Sequence, residues 1–382
     1  MSESNIKVNP KVLQWARDFL VISRTKASED TGISAKRLEQ LEQGEKQPTI
    51  IELKAMSKTY KRTIANLLLT EIPKEKPLPT DRRTIDSKKL GTFHEKTIMA
   101  VRKARALATS LIELRQEAGF SIMRFNYTAV LNDSPLKIAQ GIRKEWNLGE
   151  IRQLNNINHA LEAYIEKVES YGVAVFQLSL TQDALRGFSL TDEQMPVIAI
   201  KRGGEPATAK IFTLFHELGH ILLYQGGICD INISGKEQQI EKWCNAFASE
   251  ILIPAKELLQ MLSVVVHAST DEKVWAKKDL IELANHFHVG PLAILRSLLE
   301  NNLTTQKFYD EKHKSWNKPS FGRAKVPEGR NIVKETIKEK GRTYLYLAFT
   351  AFDKNKIDLK DLSDFLGVKL SYISKTRQLL NV

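Results

Sequence analysis

The stretch that most constrains the fold runs from Ala209 to Leu223 and reads Ala-Lys-Ile-Phe-Thr-Leu-Phe-His-Glu-Leu-Gly-His-Ile-Leu-Leu. Wound as a helix, it is apolar nearly all round, because Ile211, Phe212, Leu214, Phe215, Leu218, Ile221, Leu222 and Leu223 cover its circumference. Such a helix belongs in the interior. It nevertheless carries His216, Glu217 and His220, and buried groups of that polarity need partners. Histidines four residues apart lie one turn apart on the same face, where two imidazoles can share one metal ion, most often zinc. Glu217 is turned about 100° from His216. It sits beside such an ion rather than on it, the position of a general base for a zinc-bound water.

A tetrahedral catalytic site also needs a third protein ligand. Residues 238–252 form a second expected helix, packed inward through Ile240, Trp243, Cys244, Phe247, Ala248 and Ile251 and stopped at Pro254. Glu241 on this helix is the best third ligand. Asn245, one turn later on the same face, is suited to orient a ligating histidine or Glu241 through a hydrogen bond. Asp230 and Glu237 are rivals placed in expected loop, and Glu250 is expected at the surface. The two cysteines, Cys229 and Cys244, form no Cys-x-x-Cys pair and exclude a disulfide scaffold. Any metal site therefore uses histidine and carboxylate, in a reducing compartment. A lesser role for Cys229 or Asp230 is approach to the metal in a resting state. A further donor to a developing oxyanion is expected, and Tyr224, His267, His286 and Arg202 all remain open.

Before the metal helix, residues 173–179, 186–190 and 196–200 read as three short strands. They imply a small twisted sheet beside that helix, with an edge suited to aligning an extended polypeptide.

The N-terminal text is of another kind. A helix opens at Pro10, a short one ends at Gly32, and Ser34 caps the next, Ala35–Gln43. Two short helices joined by Gly32-Ile33-Ser34 have the helix-turn-helix outline. This stretch, with Leu41-Glu42-Gln43-Gly44 and Pro48-Thr49, resembles the XRE-type helix-turn-helix domain, a five-helix DNA-binding module. The resemblance implies that Ala35, Lys36, Arg37 and Gln40 face base edges. Glu39 and Glu42 depart from a strong DNA binder, which leaves protein docking as the other use.

The expected organisation is multidomain and mainly α. An N-terminal five-helix unit spans 1–70, a Pro-rich linker 71–83 and a helical segment 84–168. An α+β zincin-like peptidase core with its small sheet follows over 169–262. A helix-turn-helix-like unit occupies 263–310, and residues 331–382 form a C-terminal helical domain whose helix, Gly-Val turn and helix read as an interaction or dimerisation module, slightly ahead of a DNA reader. Residues 308–330 are expected to be irregular. The formal net charge of +12 suits an acidic partner, most simply nucleic acid. The N-terminus lacks a signal-peptide core and no apolar run reaches spanning length, so no membrane role and a cytoplasmic location are expected.

His216-Glu217-Leu218-Gly219-His220, followed by Glu241-x-x-x-Asn245-Ala246-Phe247-Ala248 and Leu252-Ile253-Pro254, resembles the double motif of the ImmA/IrrE metallopeptidases. The Arg186–Leu190 and Gly226–Asp230 stretches also fit. The resemblance implies a zinc site of His216, His220 and Glu241 with Glu217 as base. It implies a regulator that cleaves a protein partner such as a repressor or antitoxin-like protein. DNA is a second partner through the N-terminal domain, and a dimer is compatible. The alternative is a DNA-binding regulator of a toxin–antitoxin or stress operon with a structural or vestigial zinc site. An intact Glu217 argues against it, because a structural site has no use for a base.

Overall fold

The computed structural model describes residues 7–20, 22–74, 95–180, 186–191, 194–225, 234–268, 273–316 and 331–381. The chain divides into two compact units, 1–101 and 102–382. Both are mainly helical, and among the described residues no helix is long and apolar enough to cross a membrane. The expected 71–83 linker lies outside the described residues from position 75 onward.

The first unit contains α1 (Pro10–Asp18), α2 (Arg24–Thr31), α3 (Ala35–Gln43), α4 (Ile50–Tyr60) and α5 (Ile64–Leu67). Local chemistry sets the boundaries. Asn9, Ser23, Ser34, Thr49 and Thr63 each accept a backbone N–H at a helix start, and Gly32 and Gly44 end α2 and α3 in the left-handed conformation. Leu13, Leu38, Leu41, Leu53, Met56, Tyr60 and Leu67 form its core. Within that core Glu42 is buried and takes both Arg17 (2.6 and 2.9 Å) and Arg24 (2.9 Å).

The long helix α6 (Glu95–Glu117) leads into the second unit. There α7 (Pro135–Glu145) and α8 (Ile157–Ser170) precede the sheet, formed by β1 (Ala174–Leu178), β2 (Gly187–Leu190) and β3 (Val197–Lys201). β3 is central, parallel to β1 and antiparallel to β2, with Gly187 opposite Ile200. Next come α9 (Ala207–Gln225), α10 (Ser234–Leu252), α11 (Ala255–Gln260), α12 (Leu262–Ala268), α13 (Lys277–His286), α14 (Pro291–Glu300) and α15 (Gln306–Trp316). The last four helices are α16 (Ile332–Lys340), α17 (Arg342–Asp353), α18 (Leu359–Leu366) and α19 (Ile373–Leu380).

α9 packs against α8, α10, β2 and β3. Ile211, Leu214, Phe215, Leu218, Ile221, Leu222 and Leu223 are fully buried, each contributing about 2 kcal/mol on removal from water. That burial offsets the desolvation of the polar groups on the same helix. The C-terminal helices close the outer side of β1. α16 packs on that strand, and Glu169 accepts from the Val175 N–H and from Thr343 Oγ1 (2.6 Å).

Within the helical segment expected over 84–168, a single 3₁₀ turn, Glu150–Gln153, comes before α8, and Asn156 caps that helix. Two expectations change. Residues 306–316 are helical rather than irregular. Thr305 Oγ1 accepts the Phe308 N–H, Phe308 is buried and Lys312 lies over the Phe308 and Trp316 rings. Glu250 is not at the surface: it is 5% exposed, accepting from Gln140 Nε2 (2.8 Å) and from the Ala255 N–H (3.2 Å) that opens α11.

Candidate metal centre

Two helices build the site. α9 presents His216 and His220 from one face, and α10 brings Glu241 opposite them. His216 Nε2 and His220 Nε2 are 3.1 Å apart. Glu241 Oε2 lies 3.3 Å from the first ring nitrogen and Oε1 lies 3.1 Å from the second. A tetrahedral ion with bonds of about 2.0 Å separates its ligand atoms by about 3.3 Å. The three donors already stand at that spacing.

The hydrogen bonding shows how they could hold an ion. Asn245 Oδ1 sits 2.9 Å from His216 Nδ1, so the proton of that ring belongs on Nδ1 and the lone pair of Nε2 points at the shared centre. Burial pushes the His220 imidazole down, which favours its neutral form. Burial also pushes the Glu241 carboxyl up, but the two facing rings outweigh this and hold it below the usual carboxylate range. Glu241 Oε1 is buried with His220 Nε2 facing it at 3.1 Å. A cation at the common centre would take the His216 lone pair and the ionised carboxylate together. The donor set of two imidazoles and one carboxylate suits zinc.

Glu217 is 2% exposed and reaches toward β2. A Cβ placed on Gly187 would lie 3.4 Å from Glu217 Oε1, 2.7 Å from Thr213 Cγ2 and 2.8 Å from the Ala199 carbonyl oxygen. Only glycine lets the outer strand of the sheet come this close to the metal helix. Gly219 performs the same service on the other side. A Cβ there would be 3.2 Å from both Cα and Sγ of Cys244. The close passage of α9 over α10 thus sets how near Glu241 comes to the histidines. Neither glycine stood out as a site residue in the sequence. The signal for Gly187 was a glycine inside a strand pattern.

Other side chains take other places. Arg202 is held by Glu339 (2.9 Å) and Glu335 (3.4 Å). His286 is exposed, with Arg152 and Glu257 as its charged neighbours. The side chains of Tyr224, Glu237 and His267, and residues Cys229 and Asp230 entirely, lie outside what is described. In the first unit, Ala35 and Lys36 are exposed and Gln40 is half-buried on α3. Arg37 is drawn aside: its guanidinium holds Glu52 (2.7 and 3.0 Å) and the Gln47 carbonyl (3.1 Å).

By class, then, the second unit holds three side chains that could ligate one metal ion, with an adjacent carboxylate, on a helix pair beside a short sheet. Its particular likeness is to one family. Residues 168–299 match the model for the IrrE N-terminal-like domain of the Peptidase_M78 family, a span that contains the sheet, both site helices and α11 to α13. No curated protein and no solved structure matches the chain.

Proposed function

We propose that this chain is a zinc-dependent endopeptidase that acts as a regulator, hydrolysing a peptide bond in a protein partner such as a transcriptional repressor or an antitoxin-like protein. One observation carries the reading. Three donor side chains converge at metal-ligand spacing while a fourth group, the carboxylate of Glu217, stands beside them rather than among them. A purely structural site has no need of that fourth group.

When bound, the zinc ion supplies Lewis acidity toward water and toward a peptide carbonyl. The protein's own residues do the rest. Glu217 takes a proton from the attacking water and returns it to the leaving amine. Asn245 keeps the His216 ring turned for ligation. The outer edge of β2 runs from Gly187, beside Glu217, and an extended substrate adding to that edge would bring a backbone carbonyl within reach of the water that Glu217 activates.

For the first unit, we read residues 1–70 as an XRE-type helix-turn-helix domain. With Arg37 held by Glu52, only Ala35, Lys36 and Gln40 of the expected base-facing set remain outward, beside Glu39 and Glu45. That composition favours docking of the partner protein over reading of bases.

The test is co-expression with the products of neighbouring genes, comparing the wild type with Glu217→Gln. A partner band is shortened or lost with the wild type. It stays intact with Glu217→Gln, whose activity falls by about 10²- to 10⁴-fold while its zinc content is unchanged. Equal activity in the two proteins sinks the peptidase reading.

A further inference from the structure

We propose that the last four helices bind duplex DNA, with the exposed side of α19 and the turn before it as the contact face. This goes beyond the peptidase reading and does not depend on it. The backbone makes the case first. α18 ends at Gly367 in the left-handed conformation (φ 67°), and the next residue, Val368, is buried. A short 3₁₀ turn, Leu370–Tyr372, then leads into α19. One glycine thus turns the chain between two short helices, as the helix-turn-helix outline requires.

The side chains divide cleanly. α19 buries Ile373, Thr376 and Leu380 and exposes Ser374, Lys375 and Gln378, with Lys369, Leu370 and Ser371 exposed in the turn. From Phe365 to Val382 the sequence contains Lys369, Lys375 and Arg377 and no acid. Arg377 is neutralised within the domain, which leaves Lys369 and Lys375 as the charged groups of the face. Asp353 pairs with Arg377 (2.6 Å). Asp358 and Asp361 form the capping box of α18, and Asp361 and Asp364 line a pocket with Lys103 and Lys340.

The helix is also held still. Arg342 Nη2 donates to the Leu380 carbonyl at its end (2.9 Å), Thr376 Oγ1 donates to the Tyr372 carbonyl (2.8 Å), and Lys340 Nζ donates to the Phe365 carbonyl that closes α18. A fixed helix presenting ammonium, hydroxyl and amide groups without carboxylates fits DNA. Lysine meets phosphate, serine either backbone or base, glutamine the edge of adenine and an apolar tip the thymine methyl. Duplex RNA is a poor fit, because its deep, narrow major groove excludes a helix.

The experiment is fluorescence anisotropy of the full chain with a labelled mixed-sequence DNA duplex about three helical turns long, over a salt series. The wild type binds, and binding weakens steeply with salt. Lys369→Glu with Lys375→Glu weakens binding by more than about tenfold and lowers the salt slope by about 2. The milder pair Lys369→Gln with Lys375→Gln, which keeps the surface polar, shows the same loss in smaller measure. Lys36→Glu on α3 changes affinity by less than about twofold. The proposal is overturned if the wild type does not bind the duplex at low salt, if neither lysine pair matters, if Lys36→Glu carries the loss, or if an RNA duplex binds as tightly.

Discussion

Glu42 and Glu241 are both carboxylates drawn into helical interiors, and their surroundings are opposites. Glu42 faces the guanidinium groups of Arg17 and Arg24, so every neighbour donates. Its side chain is 3% exposed, and although burial pushes its carboxyl up, the two arginines more than reverse this and hold it below the usual range. Glu241 faces two imidazole nitrogens, one of them a lone pair because Asn245 takes the proton of that ring. The first arrangement is complete without any additional atom. The second is a set of donors suited to hold a cation. A buried acid alone therefore says little about function; what distinguishes a site is whether the groups around the acid already satisfy it.

That contrast can be broken by experiment. Removing Glu42 as Glu42→Gln takes the buried carboxylate from Arg17, leaving it only the half-exposed Asp18, and costs about 3 kcal/mol, read as a drop in the melting of the first unit. Zinc affinity stays unchanged. The reverse holds for Glu241→Gln. Here zinc affinity, measured by chelator competition, falls by more than about a hundredfold, beyond the range of an outer partner. Thermal stability without metal holds or rises, because the convergence of acceptors is relieved. If zinc binding survives Glu241→Gln, the contrast between the two carboxylates is empty. Asn245→Ala sits between them, with an expected loss of about 10- to 100-fold in zinc affinity. An unchanged affinity would mean that Asn245 does not set the ring of His216.

A third acid sharpens the comparison. Glu169 is buried with a hydroxyl and a backbone N–H as its hydrogen-bond donors, and burial pushes its carboxyl up to about 8. A carboxyl raised on folding stabilises the folded state fully below its ordinary value of about 4.5 and loses that contribution as the pH rises through 8. Melting of the zinc-loaded protein should therefore fall between pH 5 and 9 on this account, with a loss of stability of up to about 4 kcal/mol if the full shift is realised. Glu169→Gln should flatten that fall. An identical pH profile for both proteins would remove Glu169 from the account.

Much of the centre was legible in the sequence because it follows helical arithmetic. The apolar circumference of 209–223 and the inward face of 238–252 predict two buried helices, and four-residue spacing places His216 with His220 and Glu241 with Asn245. The illegible parts depend on neighbours remote in sequence. Glu250 has the look of a surface residue until Gln140, more than a hundred positions earlier, is brought against it. Arg37 has the spacing of a base-reading residue, but Glu52 on the next helix claims it. Helix 306–316 was hidden by the proline- and glycine-bearing text beyond it, whereas its own ring and lysine contacts are local.

Gly219 has a consequence for which ion the centre can take. With no side chain there, the backbone of α9 rests almost on Cys244, and the three donor atoms stay within 3.3 Å of their neighbours. Calcium, with bonds of about 2.3–2.6 Å and more ligands, would require a wider ring of oxygens. The missing methyl group acts as a gauge: the bare α-carbon of one helix, pressed against its neighbour, fixes the radius of the cation that the two helices can hold between them.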